Sequence, residues 1–387
     1  MSSQAFFKSR KFVIVVVLLF IGFVIVKKQN LLLSQRHSFP ITSDQGSGTT
    51  NDNQHYAIFG FIPPTSSTSD KQYLFDAAAR TGKKLIRLDF PQFVIESQEG
   101  VFDWKKIDES VQMADQRGLA IEGILGWTSK WSVDRNNPHI SDVCPGRFNQ
   151  INGPIAADKF ETYMDYIKQT VQRYPQITYW EVWNEPDIPR GFCGTAQDYA
   201  HILHGAYNSI KQTNPNAHVL IAGLTGNAFS LRQNQDKSWM EELMSYSQYD
   251  ALHKFDIFNF HIYGNDAAKM ADTISKIKKG LADKGRADGP LWITETGYPS
   301  DLQAQTSPSY NYGEKAQADF IKESLPLMIQ SGADKVFMSL RDMSFSEGEC
   351  KTNPHHQFCS DGLVTFPQFN NPNGRYDKPA MGVFQDL

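Results

Sequence analysis

With 387 residues, 40% of them hydrophobic and 21% charged, the chain has the apolar mass for one large globular core or two small ones, which excludes a disordered or fibrous protein. The formal charge of -4 hides an asymmetry: six of the 38 basic residues (Lys8, Arg10, Lys11, Lys27, Lys28 and Arg36) precede the first acid, Asp44, leaving 32 basic against 42 acidic residues in the remainder. An acidic body speaks against nucleic acid and polyanions as partners.

Residues 1–11 are basic, and Phe12 to Val26 follow as an uninterrupted apolar run. As a helix this run would reach roughly 22 Å, short for a bilayer core of about 30 Å unless Lys27 and Lys28 snorkel. A secretory h-region has the same length, but no alanine lies between Ala5 and Ala57 to make a small-residue cleavage site, so residues 12–26 are expected to stay as a signal anchor. Residues 27–55 are mostly Ser, Gln, Asp, Gly, Thr and Asn and read as a disordered tether.

The body, 56–387, opens with a strand at 56–61 and a helix from Asp70, taken as N-cap, to Arg80. Strand-like runs at 84–90 and 119–126 flank a helix near 107–117, and a long loop containing Trp127 and Trp131 leads to Cys144. Phe160 to Tyr174 keeps a helical period ahead of the strand Tyr179-Trp180-Glu181-Val182-Trp183, which breaks into Asn184-Glu185-Pro186-Asp187 because proline cannot continue a ladder. Helices are expected at 199–212, 239–246, 267–281 and 313–329, and strands at 219–223, 255–260, 290–295 and 335–340. The seventh strand repeats the design of the fourth, ending in Glu295 before Thr296-Gly297-Tyr298-Pro299.

Eight strands alternating with helices, with no internal linker, predict a single (β/α)8 barrel. No strand is followed by a Gly-rich phosphate fingerprint, which argues against a doubly wound sheet. The surplus over a minimal barrel of about 250 residues falls in long rim loops, chiefly 345–376. Cys144 and Cys193 lie in loops after neighbouring third and fourth strands, and Cys350 and Cys359 in the loop after the eighth. The expected disulfides are therefore Cys144–Cys193 and Cys350–Cys359, and the spacing matches no usual zinc pattern.

Asn184-Glu185-Pro186 after a strand, with Glu295 ending a later one, resembles the retaining glycoside hydrolases of clan A. The stretch around it, and the anchor, are most similar to glycoside hydrolase family 39 and its relatives that trim bacterial exopolysaccharides. Val101-Phe102-Asp103-Trp104 fits the same clan. The resemblance covers roughly 56–387 and implies Glu185 as acid/base, Glu295 as nucleophile, Asn184 on the sugar hydroxyl beside the reacting carbon, Arg87 close to the nucleophile and Tyr263 hydrogen-bonded to it. A pair of carboxyl groups suits this chemistry because one donates a proton to the leaving oxygen while the other, ionised, faces the developing positive charge.

Alternation puts His261 on the same side as Tyr263, although it also fits a satisfied core histidine. Arg87 has a second reading, an ion pair with Asp89 or Asp342. Trp127, Trp131, Phe61 and Tyr298 follow strand ends and offer aromatic faces for sugar stacking or for packing. Where many clan members carry a tryptophan after the eighth strand, this chain has Ser339-Leu340-Arg341-Asp342.

The expectation is a membrane-tethered, extracytoplasmic glycosidase needing no metal or organic cofactor and cutting within the chain of a polysaccharide or oligosaccharide; neutral or cationic sugars suit its charge. Transglycosylation by the same pair, and a non-catalytic polysaccharide-binding or assembly protein on a barrel scaffold, are the alternatives.

Overall fold

The computed structural model describes residues 55–146, 149–231, 236–301, 313–343, 348–353, 355–366 and 374–387. The expected anchor at 12–26 and nearly all of the tether lie outside them, and among the described residues no helix is long and apolar enough to cross a membrane.

Among the described residues eight strands alternate with eight helices of seven residues or more: β1 Tyr56–Phe59, α1 Thr68–Arg80, β2 Leu85–Pro91, α2 Lys105–Asp115, β3 Ala120–Gly126, α3 Phe160–Arg173, β4 Tyr179–Val182, α4 Ala196–Thr213, β5 His218–Leu220, α5 Trp239–Ser245, β6 Phe258–His261, α6 Ala267–Asp283, β7 Leu291–Thr296, α7 Glu314–Gln330, β8 Lys335–Ser339 and α8 Pro379–Asp386. All strand pairs are parallel, in the order β5-β4-β3-β2-β1-β8-β7-β6. Between β5 and β6 the seam is held by the parallel bridges Leu220–Ile257 and Leu224–Phe260, so the sheet comes close to a closed barrel.

Strand residues that point outward (Ile58, Ile86, Leu88, Ile121, Trp180, Val219, Phe258, Ile293, Val336) join the apolar faces of the helices in the main core. Burying each such side chain stabilises the fold by roughly 1.5–3 kcal/mol before entropy. A second, smaller cluster fills the amino end of the barrel interior: Ala57, Leu85, Leu220, Ile257, Trp292 and Phe337.

Several boundaries differ from the sequence reading: β5 ends at Leu220 instead of 223, β6 starts at Phe258 instead of 255, and α4 starts at Ala196 instead of 199. The N-cap of α1 is Ser67, whose Oγ accepts from the Asp70 amide at 3.1 Å, so Asp70 sits inside the first turn. The closing helix α8 was not expected; Pro379 starts it and Ala380, Met381 and Phe384 are buried, with the Phe384 ring edge-on to Tyr56. Both expected disulfides are present, with Cα separations of 5.4 Å for Cys144–Cys193 and 5.9 Å for Cys350–Cys359.

Candidate active site

Four non-glycine residues just past strand ends have positive φ: Phe61 (42°), Trp127 (54°), Trp183 (75°) and Glu185 (47°). Left-handed backbone at such residues costs on the order of 1–3 kcal/mol each and persists only where surrounding contacts impose it. Around Glu185 those contacts are specific. Its amide donates to Gly223 O at 3.1 Å, Trp183 Nε1 donates to Gly191 O, and Gly191 packs so closely that a Cβ there would stand 2.0 Å from the Glu185 carbonyl oxygen.

The Glu185 and Glu295 carboxylates reach the carboxyl-end rim from opposite sides of the barrel and are 6% and 8% exposed. His261 lies between them, with Nδ1 2.9 Å from Glu185 Oε1 and 3.5 Å from Glu295 Oε2; one oxygen of each glutamate and this nitrogen all fall within 4.8 Å of one another. Every oxygen of the pair has a donor. Glu185 Oε2 accepts from Arg190 Nη2 at 3.0 Å, Glu295 Oε1 from Arg87 Nη1 at 2.7 Å, and Glu295 Oε2 from Tyr263 Oη at 2.9 Å. Three such ligand atoms could in principle hold a cation, but two guanidiniums on the same carboxylates oppose it electrostatically.

Burial pushes the Glu185 carboxyl up, but the hydrogen bond and charge of His261 and the Arg190 guanidinium outweigh it and hold it at about 2. Burial and the neighbouring Glu295 raise the Tyr263 phenol well above its usual value, so Tyr263 stays a donor.

Arg87 is fully enclosed and ties the pair to the barrel interior. Nε and Nη2 donate to the two oxygens of Glu181, each at 2.8 Å, and Nη2 also donates to Asn184 Oδ1 at 2.8 Å, while the Phe59 ring covers its face at 5.3 Å. Its nitrogens thus go to Glu181, Glu295 and Asn184 rather than to Asp89 or Asp342; Asp342 is taken by Lys378 Nζ at 2.6 Å. Glu122 is 3.4 Å from Arg87 Nε, yet neither of its oxygens has a hydrogen-bond partner among the described residues. Burial, then the charge of Glu181, raises the Glu122 pKa well above the carboxylate range and favours its neutral form. In Glu181 the burial effect is outweighed by Arg87, and that carboxylate is held below its usual value.

Above the pair is a cavity of about 250 Å³ whose wall includes Phe59, Phe61, Trp127, Arg190, Phe358 and Asp361. Of the residues expected from sequence, Glu185, Glu295, Asn184 and Tyr263 line it, with His261 and Arg87 directly beneath. Trp127 lines it too, its ring 6.4 Å from Trp183. Trp131 and Tyr298 lie elsewhere. The Trp131 indole donates to Glu96 O at 3.0 Å, held by the bend after β3, and Tyr298 is 5% exposed with its ring stacked on Phe320 of α7. Neither belongs to the cavity wall.

Sequence reasoning missed Glu122, Glu181, Arg190, Phe358 and Asp361. For the two glutamates a signal existed, since a carboxylate at the inward position of a buried strand needs a cation and Arg87 is the inward residue next door. At the end of β8, Arg341 is buried, donating from Nε to Phe61 O and from Nη1 to Asp342 O, with the Phe61 and Phe366 rings on its faces at 4.8 Å.

The model of the glycosyl hydrolase catalytic core matches residues 108–355. No curated protein matches the chain in sequence. Among solved structures, a family 39 glycoside hydrolase from Bacteroides cellulosilyticus superposes with a TM-score of 0.59 at 14% identity, over 86% of this chain and 62% of its own. A family 39 β-xylosidase from Caulobacter crescentus gives 0.61 at 17% identity, over 86% and 71%. A family 5 subfamily 18 variant from Streptomyces cattleya, in complex with Manβ1-4GlcNAc, gives 0.60 at 14%, over 86% and 79%. The chain spans less than two thirds of the first of these, and at such identities the likeness carries the fold.

Proposed function

Because the chain belongs to the glycosyl hydrolase catalytic core family, we propose that it is a retaining glycosidase in which Glu295 is the nucleophile and Glu185 the acid/base. The observation that carries this is the approach of the two carboxylates, with one oxygen of each within 4.8 Å. That spacing sits on the short side of the division between retaining pairs at about 5–5.5 Å and inverting pairs at about 6.5–9.5 Å, which need room for a water.

In the first step a Glu295 oxygen bonds to the anomeric carbon as the glycosidic C–O bond breaks. The electron pair goes to the leaving oxygen, which takes the proton of Glu185. In the second step Glu185 takes a proton from water, the water oxygen bonds to the anomeric carbon, and Glu295 leaves as carboxylate. Arg87 and Tyr263 hold the nucleophile's oxygens and favour its charged form. Asn184, fixed by Arg87, turns its amide nitrogen toward the sugar.

The substrate we favour is a secreted or cell-surface polysaccharide cleaved within its chain. Two disulfides suit an oxidising compartment, and a signal anchor at 12–26 would hold the domain where polymer emerges. Reducing-end release from a panel of β-linked polysaccharides tests the reading. Glu295→Gln should abolish release while keeping binding, and Glu185→Ala should regain turnover of an activated aryl glycoside on addition of azide. Release that survives Glu295→Gln would refute the assignment, and a protein beginning at Asn51 that needs detergent would count against the boundary between tether and domain.

A further inference from the structure

The two oxygens of Glu185 are held in unlike ways. On Oε1 is His261, whose side chain is 1% exposed and whose ring lies against Gly223 so tightly that a Cβ there would stand 1.9 Å from Nε2. That contact cannot move without rebuilding the floor of the site. On Oε2 is Arg190, five residues further along the same loop, whose side chain is 46% exposed. Its guanidinium stands over the Phe358 ring at 5.6 Å, and both residues line the cavity.

This arrangement poses a chemical problem for the reading above, on which the inference rests. A general acid must carry a proton before it can give one, and His261, then Arg190, favour the ionised form of Glu185. Among the described residues the other charged groups do not relieve this. Asp187, on the same loop, is taken by the Thr225 amide and hydroxyl; Glu295, from β7, is occupied by Arg87 and Tyr263; Glu181, from β4, is neutralised by Arg87. Arg190 is the contact that a bound molecule can remove.

We propose that Arg190 is a receptor for an anionic sugar on the leaving-group side of the cleaved bond: a substrate carboxylate or phosphate takes the guanidinium from Glu185 Oε2, and Glu185, left with His261 alone, more readily takes up from solvent the proton it donates. The exchange swaps one anion for another on the same guanidinium, so the cation is never left unpaired, and the planar fork of arginine suits two-oxygen acceptors of either kind. Phe358 supplies a face on which the guanidinium can rest. The leaving-group side follows from Glu185 itself, because the acid/base carboxylate faces the departing oxygen. An acidic protein can in this way prefer an acidic glycan: net charge describes the whole surface, whereas Arg190 acts within a few ångströms.

The test follows Glu185 itself. In the full chain labelled with carbon-13 at glutamate carboxyls, with Glu185→Gln to assign the signal, its titration is recorded alone and with glucuronate, glucose 6-phosphate or glucose. We expect one or both anions, and not glucose, to raise the Glu185 midpoint by about one pH unit or more. Glucuronate acting alone identifies a uronate, and glucose 6-phosphate acting alone a phosphorylated sugar. Arg190→Gln should raise the midpoint without ligand and abolish the response, and Arg190→Lys should retain part of it. No response to either anion, or an equal response to glucose, overturns the proposal even if the variants fail to fold. An intact anion response in a protein that cleaves no glycan would overturn the glycosidase reading and leave the receptor standing.

Discussion

At the amino end of the barrel the inward positions are Ala57, Leu85, Leu220, Ile257, Trp292 and Phe337; two residues further along three of these strands they become Arg87, Asn259 and Thr294, joined from β3 and β4 by Glu122 and Glu181. The same alternation therefore builds an oily plug and, one layer up, a buried charge cluster. The lower layer stabilises by burial, which is non-directional and tolerates volume-conserving change. The upper layer works through hydrogen bonds whose partners cannot be swapped, and it orients Glu295 and Asn184. In this barrel, stability and chemistry are divided by height along the strands.

The comparison breaks most sharply at Arg87. Arg87→Met strands the Glu181 and Glu295 carboxylates without their cation, and urea unfolding should show a loss of about 3–5 kcal/mol, with activity gone. Leu220→Ala, in the plug, should cost about 3 kcal/mol through the cavity it leaves. Its kcat well below the melting temperature should match the parent, and a fall in kcat would mean that the layers are coupled.

The effect of pH sharpens the same contrast. Burial lifts Asp187 to about 6 despite the hydrogen bonds from Thr225. A carboxyl whose folded pKa is raised favours the folded state when protonated, so its contribution is full below about 4 and is lost as pH rises through about 6. Asp187→Asn should flatten the stability profile in that window by on the order of 2 kcal/mol, measured by denaturation across the range. The smallest effect should come from Glu122→Gln. Because Glu122 is already neutral, the exchange keeps the charge count and should change stability by less than about 1 kcal/mol, whereas a charged Glu122 would make the substitution strongly stabilising or reorganise Arg87.

What the sequence made legible follows the same division. The strands and seven helices are legible from apolar pattern and local cap and turn signals, and Glu185 and Glu295 stand out because each ends a buried strand just before a turn. Arg87 and Tyr263 were placed by resemblance. The helix α8 escaped because eight residues give only two turns of period, although Pro379 marks its start. Arg190 and Phe358 were out of reach for a different reason: they sit in rim loops whose paths depend on Gly191 and on the two disulfides, contacts distant in sequence or invisible to periodicity. Trp131 shows that position after a strand end says nothing about direction, since the chain there bends its indole to the Glu96 carbonyl.

The central claim, that the upper layer arms Glu295 as a nucleophile with Glu185 as its acid/base, is tested most directly by the stereochemistry of cleavage. Proton magnetic resonance of the newly formed reducing end, recorded before mutarotation, should show the anomeric configuration of the bond that was broken. An initial product of inverted configuration would contradict the account.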